Sequence, residues 1–377
     1  MLDTMYIRRA AVTGLDPEAS VGSLARELQQ PNLTGVLLFC SADYDPEALA
    51  AAIGRHFTCP VVGCTTAGEI GESYQTGGIA GVSFSADRFV MHPRYIPSLK
   101  EFDAVQAQAM AESLRRNLVW SDDLAKDGMF GLTLLDGLSV QEEKVIALVD
   151  SALPALRIVG GSAGDSLEFR QTRILHDGRF QTGGGLFILF ETRMPFKVFK
   201  LQHFVPSETD LVITAADPET RTVYEINGVP AGREYARLLG LRPEDLSPSV
   251  FSRYPLMLQV GQEWYVRSIS RLNDDGSFTF FCAIDEGLVL TMAYGSGLVE
   301  TLAACVAEME AEFDSIACTL GCDCILRRLE LEAIDRPETV NDLLRRLGFI
   351  GFSTFGEQFR SLHVNQTLTG VILGEKV

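Results

Sequence analysis

One pattern occurs three times along this chain, and a repeat of that kind constrains the fold more than any single residue does. The first copy opens with an apolar run at residues 35–39, followed by a helix with Asp45 as its N-cap and Pro46 at its first position. A strand at 60–62 then runs into Gly63-Cys64-Thr65-Thr66-Ala67-Gly68-Glu69, and an apolar strand at 77–84 closes the unit. The second copy opens at 129–135, and its helix starts at Ser139 with Glu142 completing a capping box. It continues through 158–159 into Gly160-Gly161-Ser162-Ala163-Gly164-Asp165 and closes at 183–190. The third opens near 314–319, passes through helical stretches at 324–332 and 340–347, and reaches Gly351-Phe352-Ser353-Thr354-Phe355-Gly356-Glu357 before closing at 367–373.

Each copy reads as strand, helix, strand, glycine-rich loop, strand. A helical crossover makes the first two strands parallel, and the third can return antiparallel. The apolar runs are near-continuous, as in strands covered on both faces. The expectation is an α/β (mixed α+β) fold, with mixed parallel and antiparallel sheets built from repeated β-α-β-β units. Residues 212–294 break the pattern. They hold an amphipathic stretch at 232–239 and two strand-like runs joined by Asn273-Asp274-Asp275-Gly276, a hairpin signal. A helical stretch at 297–313 leads into the third copy. Interruptions at Met194-Pro195 and Pro206-Ser207 place a boundary near 195–220, which gives two domains, 30–205 and 220–375. A chain of 377 residues is long enough to need two cores.

The formal net charge of −18, with no long Lys/Arg run, argues against nucleic acid and anionic membranes as partners. No signal peptide is visible, and the longest apolar runs are too short to span a bilayer, so a cytoplasmic location is expected. The eight cysteines are then expected as thiols, metal ligands or redox sensors rather than disulfides.

Cys318, Cys322 and Cys324 form a C-x3-C-x-C cluster. A turn before a helix could converge three thiolates on zinc, with a fourth ligand from Cys282 or a histidine; buried inert thiols are the alternative. The glycine loops admit two readings: backbone nests that contact an anionic ligand, through positions such as Gly63, Cys64, Thr65, Gly68, Gly161, Ser162, Gly351 and Gly356, or tight turns between packed strands. The carboxylates of Glu69, Asp165 and Glu357 recur at the loop ends, as caps or as acceptors for ligand amines. Cys64 follows a strand in a glycine turn, but no motif supplies it with a base, and no enzymatic activity is expected.

The loops carry a resemblance. Residues 61–69 resemble the hallmark loop of the N-terminal FIST domain, and 158–165 its second loop. Residues 351–357 with His363, Asn365, Gln366 and Thr367 are similar to the end of the C-terminal FIST domain. The resemblance covers essentially the whole chain and implies a sensor of a small ligand that reports to a separate partner, a histidine kinase or a cyclic-di-nucleotide signalling enzyme, with a second copy of the chain as a further candidate partner. The chain also resembles the nitric-oxide-sensing, haem-binding NosP branch. That implies haem b with His363 as axial ligand, and zinc at Cys318, Cys322 and Cys324. Two alternatives stay open: a zinc-thiolate oxidant sensor, and a sensor of a metabolite such as an amino acid without haem. His56 and His176 are expected at the surface, while His92 and His203 lie beside apolar residues.

Overall fold

The computed structural model describes residues 6–120, 128–334 and 337–376. Three six-stranded sheets share one plan. The first runs Ile7–Thr13, Gly78–Ser85, Leu33–Ser41, Val61–Thr66 and then a short hairpin, Ile174–His176 with Arg179–Gln181. The second runs Phe89–Ile96, Gly185–Thr192, Met129–Leu135, Arg157–Ser162 and the hairpin Glu357–Phe359 with Leu362–Val364. The third runs Phe196–Leu201, Leu368–Glu375, Ser315–Cys324, Phe349–Thr354 and the hairpin Glu69–Ile70 with Tyr74–Gln75. Each unit therefore lends its hairpin to a neighbour's sheet, and the exchange closes in a ring of three.

The mixed α+β fold and the parallel crossovers are as expected: Val36 lies beside Val61, Phe130 beside Arg157 and Thr319 beside Phe349 in parallel register. The repeat itself is longer than the sequence suggested. Each unit begins with a further strand and helix: Ile7–Thr13 and Pro17–Leu28, Phe89–Ile96 and Ala104–Arg116, then Phe196–Leu201 and Leu298–Glu312. These opening strands lie at sheet edges and carry charge. Residues 7–13 read IRRAAVT with every second side chain facing outward, so no apolar run marks them.

Residues 202–297 are an insertion into the third unit, between its edge strand and first helix. The insertion has its own sheet, including Phe204–Asp217, Glu263–Arg267 and Val289–Gly295, and two helices, Ala231–Leu239 and Pro248–Arg253. Its separate core includes Tyr235, Phe251 and Phe278, packed edge-to-face. The predicted hairpin is present: Ile269–Leu272 pairs with Phe278–Phe280.

The three units meet over one apolar core with members from Ile7 to Leu373. Phe39 of the first stacks on Phe352 of the third at 4.6 Å, and Phe84 of the first meets Phe190 of the second edge-on at 5.1 Å. Such ring pairs each contribute about 0.5–1.5 kcal/mol beyond their area burial.

Candidate functional site

The three glycine loops converge on the centre of the ring and bond to one another. The amide of Gly164 donates to the Thr65 carbonyl at 3.1 Å, that of Ala67 to Ser353 at 3.0 Å, and that of Phe355 to Ser162 at 3.2 Å. Register makes Thr65, Ser162 and Ser353 equivalent, so the three bonds form a cycle. Gly63, Gly160 and Gly351 occupy one further equivalent position. A Cβ on Gly351 would lie 1.9 Å from the Gly321 carbonyl oxygen and one on Gly63 1.8 Å from that of Leu38, so only glycine fits the parallel strand pair there. Cys64, Thr65, Gly68, Gly161 and Ser162 are all buried. These amides and carbonyls are satisfied within the ring, which matches the turn reading of the loops.

The carboxylates at the loop ends act as local acceptors. Asp165 takes the amides of Phe169, Arg170 and Gln171, Glu69 takes the Thr66 hydroxyl and the Gly78 amide, and Glu357 takes the hydroxyls of Thr354 and Thr367 with the Thr367 amide. Burial pushes Glu69 up to about 7 and Glu357 up to about 8. The charge of Asp323 adds to the rise at Glu357. A carboxyl with a raised folded-state pKa holds its proton more tightly in the native chain than in the unfolded one. The stability it gives is complete below the unfolded value near 4.5 and is lost as pH rises toward 8. Unfolding free energies from denaturant titration should therefore fall between pH 5 and pH 8, by on the order of a few kcal/mol, and Glu357→Gln should flatten that fall.

The cysteine cluster departs from expectation. Cys318, Cys322 and Cys324 lie on the extended strand Ser315–Cys324, not in a turn, and all three are buried. Extended chain places Cys318 about 13 Å from Cys322, whereas a tetrahedral zinc needs sulfurs within about 4 Å of one another. Burial also drives all three thiols upward, Cys318 to about 12, away from the thiolate a metal requires. Among the described residues no group of His, Cys, Asp or Glu is arranged to hold a metal ion. The strand misled because C-x3-C-x-C spacing fits a ligand loop and a one-faced strand equally. A thiol reagent should react in the native protein at half-buried Cys59 and Cys305, with the other six cysteines silent until unfolding. Fast labelling of Cys322 in the native state would contradict this burial.

His363 lies on the return strand of the third hairpin, at the junction of the second unit, the third unit and the insertion. Its Nδ1 accepts from Gln358 Nε2 at 3.2 Å, and its Nε2 donates to the Phe281 carbonyl at 3.3 Å. Gln358 also donates to Ser162 Oγ at 3.0 Å and accepts from Thr133. Gly356 makes room for the ring: a Cβ there would meet His363 Cε1 at 2.3 Å and Asn365 Nδ2 at 3.1 Å. Axial ligation needs a free imidazole lone pair facing a slot for the macrocycle. With both ring nitrogens engaged and the ring packed on Gly356, the residues as placed do not fit haem.

Asn365 is different. It is fully buried, and both its amide oxygen and its amide nitrogen lack a hydrogen-bond partner among the described residues. Buried amides are almost always bonded. The next residue, Gln366, holds a left-handed backbone at φ 48°, which fixes the direction of this loop. Gln366 is itself fully bonded, to Ser268 and to the Ser252 carbonyl.

The other histidines are buried or half-buried, and each has a polar or aromatic partner. His92 meets Glu191 at 2.7 Å, His203 lies between Glu330 and Arg327, His56 meets Glu18, and His176 stacks on Tyr95 beside its turn.

Several residues that sequence reading passed over complete the junction. The second unit's helix spans Glu142–Ala152 with Gln141 as an N-cap lacking a side-chain bond, so the capping box expected from Ser139 is absent. Glu142 instead meets Arg221 of the insertion at 2.7 Å, where both are buried. Arg221 also pairs with Glu143 and donates to the same Phe281 carbonyl that receives His363. Its backbone is left-handed at φ 52°, a conformation that costs a non-glycine residue energy and tends to persist at working sites. Arg267, on the insertion strand packed against the His363 strand, has an unpartnered Nε. The junction thus gathers guanidinium groups, carboxylates and an amide unsatisfied among the described residues. A lone arginine in a polar, unpatterned segment carries no sequence signal of this.

No helix among the described residues is long and apolar enough to cross a membrane. Comparison with curated proteins returned no match. Two domain families do match: the FIST N domain over residues 34–229 and the FIST C domain over residues 231–360. FIST domains are sensor domains of signal transduction and bind small ligands. The chain belongs to the FIST family.

Proposed function

We propose that the ligand of this sensor is a small polar metabolite, such as an amino acid, held beneath the insertion at the junction of the second and third units. The observation that carries this reading is Asn365, an entirely buried amide with a donor and an acceptor both unused. A ligand supplying one acceptor and one donor would satisfy it, and Arg267 Nε, on the strand packed against the His363 strand, is an unused donor for a carboxylate. Arg221 bridges the insertion to Glu142 and Glu143 across this site, so a ligand that competes for those groups shifts the insertion relative to the ring. That displacement is the signal offered to a separate partner, for which a histidine kinase or a cyclic-di-nucleotide enzyme is the expectation from the resemblance.

The test is a thermal-shift and calorimetric screen of the twenty amino acids and small carboxylates against the purified protein, with haemin in a parallel arm. At least one metabolite should raise the melting temperature. No shift from any of them, together with a Soret band lost in His363→Ala, would replace this reading with the haem one.

A further inference from the structure

The tip of the same hairpin, at Arg360, borders a cavity away from the glycine loops. A surface cavity of about 640 Å³ is lined by Arg157, Lys197, Arg360 and Lys376, with Asp150 and Glu312 as its carboxylates. Four cations against two acids is a local inversion in a chain whose net charge is −18. The cations come from four separate segments, so no single strand or helix pattern explains their meeting. Lys197 and Lys376 share Glu312, at 2.5 and 2.7 Å, and Lys197 also meets Glu308. Arg157 lies over the Phe196 ring at 5.3 Å.

Arg360 differs from the two lysines. Its guanidinium lies over Phe359 at 5.4 Å and pairs with no carboxylate among the described residues. Its backbone is left-handed at φ 56°, and its amide is tied to the Ile158 carbonyl at 2.7 Å, so the hairpin tip is held in a strained conformation at the cavity. An arginine left without a carboxylate, in a protein with so many, and fixed at the rim of a concave basic site, fits a ligand that brings its own negative charge. The volume is that of a small-molecule site.

We propose that this cavity binds a small multiply charged anion, a phosphate ester or a polycarboxylate, with Arg360 as its principal contact and Lys376 and Lys197 as flanking charges.

Calorimetric titration of the full chain with pyrophosphate and with citrate at low salt tests this. One of the two should bind, and binding should weaken steeply as salt rises. A preference for pyrophosphate assigns a phosphate ligand, and a preference for citrate a polycarboxylate. Arg360→Asn removes the charge while tolerating the left-handed backbone, and should weaken binding about tenfold or more at an unchanged melting temperature. Lys376→Gln, on a different segment, should weaken it less. Neither variant should alter the metabolite response attributed to Asn365, which separates the two sites. Failure of both anions to bind at millimolar concentration, or an Arg360→Asn protein that binds as the wild type does, overturns the proposal.

Discussion

Replacing Arg327 by methionine is expected to destabilise the protein by about 3–5 kcal/mol. Arg327 has no exposed surface, and its Nε donates to Asp323 Oδ1 at 2.7 Å, where Asp323 is equally buried. Its Nη1 donates to His203 Nδ1 at 3.2 Å, which leaves His203 Nε2 to donate to Glu330 at 2.9 Å, and the Tyr74 hydroxyl donates to the other Asp323 oxygen. Methionine retains the aliphatic stem, so the cavity contribution is small and the loss reports the charge left behind on Asp323. Four segments join here: the first unit's hairpin through Tyr74, the third unit's strand and helix through Asp323 and Arg327, and the entry to the insertion through His203. Urea denaturation of Arg327→Met, Asp323→Asn and the double variant gives the coupling. The double variant should recover much of the loss, because it leaves no uncompensated charge. A single-variant loss below about 1 kcal/mol would show that water reaches Asp323 and that the network does not hold the ring together.

The strands with continuous apolar runs were legible in the sequence because both of their faces are covered, and the crossover rule then gave their direction. Residues 35–39, 129–135 and 349–352 all fall within central strands. The edge strands were not legible. Ile7–Thr13 and Phe196–Leu201 mix lysine or arginine into an alternating pattern, which is how an edge resists pairing with other chains and also how it escapes a hydrophobicity reading. The exchange of hairpins between units was invisible for another reason. Glu69–Ile70 and Tyr74–Gln75 are two residues each, and the pairing of the first with Phe352 and Gly351 is set by the ring, not by local propensity. At the site, the glycine loops announced themselves because glycine is required where backbones touch. That requirement is structural, and it drew attention away from the polar groups of the junction. His363 and Asn365 were singled out through the resemblance. Arg221, Glu143 and Arg267 were passed over, since a junction assembled from three distant segments leaves no spacing to read.

Asn365→Leu should separate the ligand reading from a structural one, because the two predict opposite signs. In the unliganded protein the amide is buried without partners, which costs about 1–3 kcal/mol relative to an apolar group of similar size. Leucine removes that cost, so the variant should be more stable than the wild type by about 1 kcal/mol without ligand. It should also lose the melting-temperature rise that the wild type shows with its metabolite, since the donor and acceptor that meet the ligand are gone. Were Asn365 a structural residue bonded to ordered water, the same substitution would strand that water's other partners and lower the melting point, and any ligand response would survive. Gain of stability with loss of response is the signature of a residue kept unsatisfied for binding. A destabilised Asn365→Leu protein that still responds to its ligand would move the binding site away from this junction.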